Sequence, residues 1–161
     1  MSRTLYIIRH AQASKESFFP GDFFRTLDKS GYKESEEMAS WFASEETIPE
    51  LLISSTAIRA FSTALVFAKH LHYATEKILL KEAVYDASLH NLYRVLSETE
   101  DKFKSIAIFG HNPGFTDLLN DLCGFSIDNI PTTGIASVSL QNKSWSKISS
   151  GEGKLNYVEF P

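Results

Sequence analysis

Two arginines and two histidines stand at three separate points of the chain, each close behind a short apolar run: Arg9-His10, Arg59 and His111. Gathered around one point, two guanidiniums and two imidazoles suit a dianionic phosphoryl group. Arginine offers forked donors that match phosphate oxygens, and helix N-termini add backbone N–H groups with a favourable dipole. One neutral imidazole could attack phosphorus, while the other, if protonated, donates to an equatorial oxygen. Neighbouring arginine charges would lower the first ring's pKa and keep its attacking nitrogen free at neutral pH.

These groups can meet only if the elements that carry them end at a common edge. Short apolar runs alternate with longer amphipathic ones, the pattern of an α/β sheet. Strands are expected at Thr4 to Ile8, Leu51 to Ser54, Ile78 to Leu80 and Ser105 to Phe109. A further pair, Ala136 to Leu140 and Leu155 to Phe160, is split by a polar loop with Gly151 and Gly153 and should finish the sheet near one edge. Helices fill the intervals. One is expected from about Ser30 to Ser44, burying Met38, Trp41 and Phe42, and another from about Thr56 to His72. In the second, Ala57, Ala60, Phe61, Ala64, Leu65, Ala68 and Leu71 repeat at helical spacing, as a core-facing stripe should. A shorter helix covers Leu89 to Glu98. The last begins after Asn112-Pro113, with Asn as N-cap and Pro as first helical residue. The fold expected is α/β: a single three-layer domain over residues 1–161, with a mostly parallel central sheet flanked by helices. In such sheets sites form at the carboxyl edge, where Arg9-His10, Ser54 to Arg59 and Gly110 to Gly114 should converge.

Composition bounds the partners. The chain has 161 residues, 43% of them hydrophobic, and a formal net charge of −4. That suits one globular core and argues against a nucleic-acid binder held by a basic surface. Phosphate would have to be bound by a few concentrated cations. Cys123 is the single cysteine, so no internal disulfide can form, and an intracellular, cytoplasmic setting is expected. The apolar run after Met1-Ser2-Arg3 is too short for a signal-peptide core, and no membrane span is expected.

RHAQAS, SSTAIRAFSTA and IAIFGHNPG, in this order, resemble the histidine phosphatase superfamily, whose usual opening motif is Arg-His-Gly. The chain is most similar to the small phosphohistidine phosphatases of the SixA type. FFRTLDKSGYKESEEMASWF resembles that subgroup's Arg-x-Leu-x-x-x-Gly segment leading into a helix, and TTGIASVSL its late strand. The resemblance implies a phosphoglycerate mutase-like fold and a phosphatase with a covalent phosphohistidine intermediate. It implies His10 as nucleophile, Arg9 and Arg59 as clamps on the phosphoryl oxygens, His111 as a further donor, and Arg25 as an additional phosphate-pocket cation. Larger members place a glutamate after the third strand; Glu82 stands at a similar point as candidate general acid, with Asp86 as the alternative. Ala11 replaces the usual glycine, a trait found within the small subgroup. The substrate implied is a phosphorylated protein, carrying phosphohistidine, or a small exposed phosphate ester.

Each piece also has an ordinary reading. Gly110 to Gly114 could be a plain strand-to-helix turn, and Arg25, Arg59 and Glu82 solvated side chains. His70 and His72 point apart on their helix, His90 reads as a surface residue, and Asp117 with Asp121 lacks a third ligand. No metal and no organic cofactor is expected, and Cys123 reads as a small buried hydrophobe. Gly110 to Gly114 has the spacing of a serine-hydrolase elbow, but Asn112 holds the nucleophile's place. A phosphoglycerate mutase or small-molecule phosphomonoesterase, and a non-catalytic phosphate-binding module, are the alternatives. The oligomeric state is left open, with a monomer the simplest expectation.

Overall fold

Strand β1 (Arg3–Arg9) sends Leu5 and Ile7 to one face of a sheet and Tyr6 and Ile8 to the other, and all four are buried. An uninterrupted apolar run of this kind forms a strand covered on both faces. The computed structural model describes residues 2–45, 48–142 and 144–161. Its other strands are β2 (Leu51–Ser54), β3 (Leu79–Leu80), β4 (Ser105–Gly110), β5 (Ile135–Leu140) and β6 (Gly153–Glu159). They form one sheet in the order β3-β2-β4-β1-β5-β6. β1, β2, β3 and β4 run parallel, while β5 pairs antiparallel with β1 and β6 antiparallel with β5. The late pair closes one edge of the sheet, as the sequence indicates.

Helices α1 (Lys29–Glu45) and α2 (Ile58–Leu71) cover the Tyr6/Ile8 face, where Met38, Phe42 and Phe67 pack on Leu52 and Phe109. Helices α3 (Leu89–Ser97) and α4 (Gly114–Cys123) cover the other, with Leu92, Leu96, Phe115 and Leu118 against Ile53 and Ile108. This is the three-layer arrangement, and each fully buried Leu, Ile or Phe contributes about 1.5–3 kcal/mol to it.

Some details differ from expectation. Leu65 is 37% exposed, because the buried face of α2 runs through Ala60, Thr63, Ala64, Phe67 and Leu71 and leaves Leu65 off it. Trp41 is half-buried, its ring edge-on to Tyr157 at 5.5 Å, because β6 covers it only in part. Cys123 is likewise half-buried, as the last residue of α4. That helix starts one residue later than expected: Pro113 takes the cap position and Gly114 the first helical one. Asn112 still satisfies the helix start, since its Oδ1 accepts from the Thr116 amide at 3.2 Å and the Thr116 hydroxyl at 2.8 Å.

Candidate active site

The register of the sheet brings three carboxyl ends level. Arg9 lies opposite Gly110, and Ile8 and Ser54 both lie opposite Phe109. The next residues out are therefore His10, Ser55 and His111, and Arg59 follows in the first turn of α2. β5 runs the other way, so the segment before it, Ile130 to Gly134, reaches the same edge. Backbone bonds lock this edge: the His10 amide donates to Gly110 O at 3.0 Å, and the Thr133 amide to His10 O at 3.1 Å. Together these elements enclose a cleft of about 520 Å³, whose lining includes Arg9, His10, Arg25, Arg59 and His111.

His10 is 8% exposed. Its Nδ1 lies 2.7 Å from Ala11 O, and a carbonyl only accepts, so Nδ1 carries the proton. Nε2 is left with its lone pair, and Arg59 Nε donates toward it at 3.4 Å. Burial, more than the charges of Arg59, Arg9 and Arg25, lowers the ring's pKa to about 4, although the bond to Ala11 opposes the shift. The ring is therefore neutral at pH 7, with one fixed tautomer and one unprotonated nitrogen that only the long Arg59 contact occupies, as a nucleophile requires.

His111 is buried beside it, the two ring centroids 5.3 Å apart. Burial first, then the Arg59 charge, lowers its pKa to about 3. The sequence leaves room for a protonated second histidine, but the structure keeps this one neutral, with a single N–H to give. Its Nε2 lies 2.7 Å from Ser55 Oγ, and that oxygen already accepts from the Ala57 amide at 3.2 Å. The Ser55 hydroxyl and the ring share one proton across this contact, and whichever of them donates, Nδ1 is the ring nitrogen that makes no bond to Ser55. Among the described residues, His111 Nδ1 and Arg9 Nε are both buried without a hydrogen-bond partner in the protein. One guanidinium donor and one ring nitrogen are thus left unpaired beside the cleft. Arg9 is held by Nη1 donating to Ile130 O at 2.8 Å, and Arg25 by Nε donating to Ser14 O at 2.9 Å.

No protein-family model matches the chain. Solved structures do. A protein of Agrobacterium tumefaciens described as a phosphohistidine phosphatase SixA superposes with a TM-score of 0.84 at 23% identity, covering 99% of this chain and 98% of that one. The protein histidine phosphatase SixA complexed with tungstate gives 0.83 at 24% identity, over 98% and 96% of the two chains. This chain has the fold of the SixA phosphohistidine phosphatases. A mycobacterial glucosyl-3-phosphoglycerate phosphatase superposes less well, with a TM-score of 0.72 at 13% identity over 97% and 98% of the chains. In sequence, an uncharacterised chloroplast protein of Arabidopsis thaliana is 24% identical over 157 residues, spanning 90% of this chain and 70% of that protein.

On this SixA fold the segment around Arg25 is explained by packing. Leu27 is buried and bridges to Ala13 just past His10, and Asp28 caps α1 by accepting from the Gly31 amide at 2.7 Å. A side chain at Gly31 would put its Cβ 2.1 Å from Gln12 O, so only glycine lets α1 press against the strand end that carries His10. Arg25 is thereby delivered to the cleft.

Glu82 requires a correction. It is exposed on a 3-10 turn (Glu82–Val84) directly after β3 and does not line the cleft. The turn buries Val84, and four residues past Glu82 the chain enters the left-handed region at Asp86 (φ 48°), which does line the cleft. Sequence reasoning missed Asp22, Ser55 and Tyr85. The Asp22 carboxylate accepts from Arg59 Nη2 at 2.8 Å, Tyr85 Oη at 2.8 Å and Arg25 Nη1 at 3.2 Å. Burial pushes its pKa up, but those three hydrogen bonds outweigh burial and bring it to about 2. A signal was available for Ser55, which lies inside SSTAIRAFSTA, and none for Asp22. The described residues include no group of three or more His, Cys, Asp or Glu that could hold a metal ion, and no helix long and apolar enough to cross a membrane.

Proposed function

We propose that this chain is a phosphatase that works through a covalent phosphohistidine on His10, acting on phosphohistidine carried by a protein or on an exposed phosphate ester. The observation that carries the proposal is the His10 ring: neutral, fixed through Nδ1 to Ala11 O, and offering Nε2 to a cleft rimmed by guanidiniums. A site that only bound phosphate would need the cations and no free nucleophile.

In the first step Nε2 attacks phosphorus in line as the bond to the leaving group breaks, and the leaving group takes the bond pair. An imidazole protonated on its other ring nitrogen departs neutral with no further proton, whereas an alkoxide oxygen must take one from water or a side chain. Arg9, Arg25, Arg59 and the His111 N–H would receive the charge on the transferring oxygens. In the second step water attacks phospho-His10, which releases phosphate and restores the neutral ring. The cleft is open to solvent, and a substrate group borne on a protein surface can enter it without a lid.

Rapid-quench trapping with an aryl phosphate tests the proposal. An alkaline quench should reveal a phosphoryl group on His10, lost under acid and absent in His10→Ala, which should also lose turnover by at least about 10³-fold. Turnover retained by His10→Ala would overturn it. So would the absence of phosphoenzyme and turnover with both aryl phosphate and phosphohistidine peptides, and the phosphate-binding module would then stand.

A further inference from the structure

Arg59 has a partner that the phosphatase scheme does not use. Besides its Nε contact to His10, the guanidinium donates through both terminal nitrogens to one residue: Nη1 to the Asp22 carbonyl oxygen at 2.7 Å and Nη2 to Asp22 Oδ2 at 2.8 Å. That two-pronged arrangement is how a planar guanidinium grips two oxygens of a phosphoryl group. Asp22 therefore occupies the face of Arg59 that an entering phosphoryl group would take. Its other carboxylate oxygen accepts from Arg25 Nη1 at 3.2 Å, so a single anion of the chain spans two of the cleft's cations. Tyr85 fixes it there by donating to Oδ2 at 2.8 Å.

The surroundings allow it to leave. The Asp22 side chain is 52% exposed, against 7% for Arg59, and it stands on a three-residue 3-10 turn (Asp22–Phe24) entered through Gly21 at φ 115°. The arginine is enclosed by the protein, whereas the carboxylate is tied only by its hydrogen bonds and can turn outward into water.

Resting on the phosphatase reading above, we propose that Asp22 is an affinity-determining residue of the cleft, whose carboxylate competes with the phosphoryl group for Arg59 and Arg25 and must be displaced before substrate can seat. A second anion cannot take Arg59 Nη2 while the carboxylate holds it, and at close range their like charges repel. Free oxyanions, the product phosphate among them, are then held weakly. A substrate that brings further contacts from its protein or leaving group offsets the displacement. The rival role, in which Asp22 merely orients Arg59 for substrate, predicts the opposite sign.

Calorimetric binding of inorganic phosphate and of tungstate to the full chain separates the two. Asp22→Asn keeps the shape and removes the charge, and should bind both anions about tenfold more tightly than wild type. The KM for an aryl phosphate should fall in step. Tyr85→Phe leaves the carboxylate in place but loosens it, so anion affinity should rise by a smaller factor; this variant also carries the test should Asp22→Asn fold poorly by circular dichroism. Affinity unchanged or weaker in both variants, with wild type binding normally, overturns the role of Asp22 alone. No binding of either anion by wild type or variants overturns the phosphoryl site itself and this proposal with it.

Discussion

At the floor of the cleft His10, Arg59 and His111 are 8%, 6% and 5% exposed, whereas at its lip the side chains of Asp22 and Arg25 are 52% and 31% exposed. The floor is made of the residues that follow β1 and β4, where the backbone is paired within the sheet, and of the first turn of α2. The lip is a loop held to that edge by the Ala13–Leu27 bridge and by the Asp28 amide donating to Gln12 O. Groups that make and break bonds must stay within a fraction of an ångström of one position, and paired strand ends provide that. Groups that meet whatever surrounds the phosphoryl moiety can sit on a less constrained segment. Under the proposed function, chemistry belongs to the floor and selection to the lip.

Replacing one arginine from each region tests that division. Arg59→Ala removes the fork nearest the nucleophile and should lower kcat for an aryl phosphate by about 10²–10³-fold. Arg25→Ala should act mainly on KM, by about tenfold or less, since its half-exposed charge is screened by water. Equal losses of kcat in the two variants would erase the distinction.

The pH profile sharpens it. kcat/KM reports ionisations of the free enzyme, and the nucleophile must be deprotonated. With His10 lowered to about 4, chiefly by burial, the reactive form persists as pH falls from 7 to 5, and the acid limb belongs near pH 4. An exposed histidine would place it near 6.5. Arg59→Ala takes away one lowering charge, so its limb should move upward. Stability follows the same sign. Between the unfolded value near 6.5 and the folded value near 4 the unfolded chain binds more protons, so the melting temperature should fall as pH drops through that window. An acid limb near 6.5 in wild type would show that the floor is wetter than its burial implies.

The floor was legible in the sequence and the lip was not, and the reason is physical. Leu5 to Ile8 and Ile106 to Phe109 are apolar on every residue because both faces of their strands are covered, so their ends could be located closely. Whatever follows them must lie at the sheet edge. Asp22 has no such marker. It sits in a segment without periodicity, and its partner Arg59 is 37 residues away, so nothing local distinguishes it from a solvated carboxylate. Leu65 failed for a related reason: a stripe read from hydrophobicity alone is wider than the face a helix can bury, and Phe67 took the position.

Glu82 gives the smallest expected effect and closes the comparison from the other side. The sequence offers it as a general acid from its distance past the third strand, yet a 3-10 turn directs the chain so that Asp86, not Glu82, reaches the cleft. Glu82→Gln should therefore leave kcat with an aryl phosphate within about twofold, since loss of a working general acid costs about 10²–10⁴-fold. Asp86→Asn is the matched control, because asparagine tolerates the left-handed backbone at φ 48° and the exchange alters charge alone. A hundredfold loss in Glu82→Gln would mean that the turn rearranges when substrate binds and that a segment beyond both floor and lip supplies a proton. Activity kept in both variants would leave the leaving group to find its proton in itself or in water, which favours a phosphorylated imidazole over an alkyl ester.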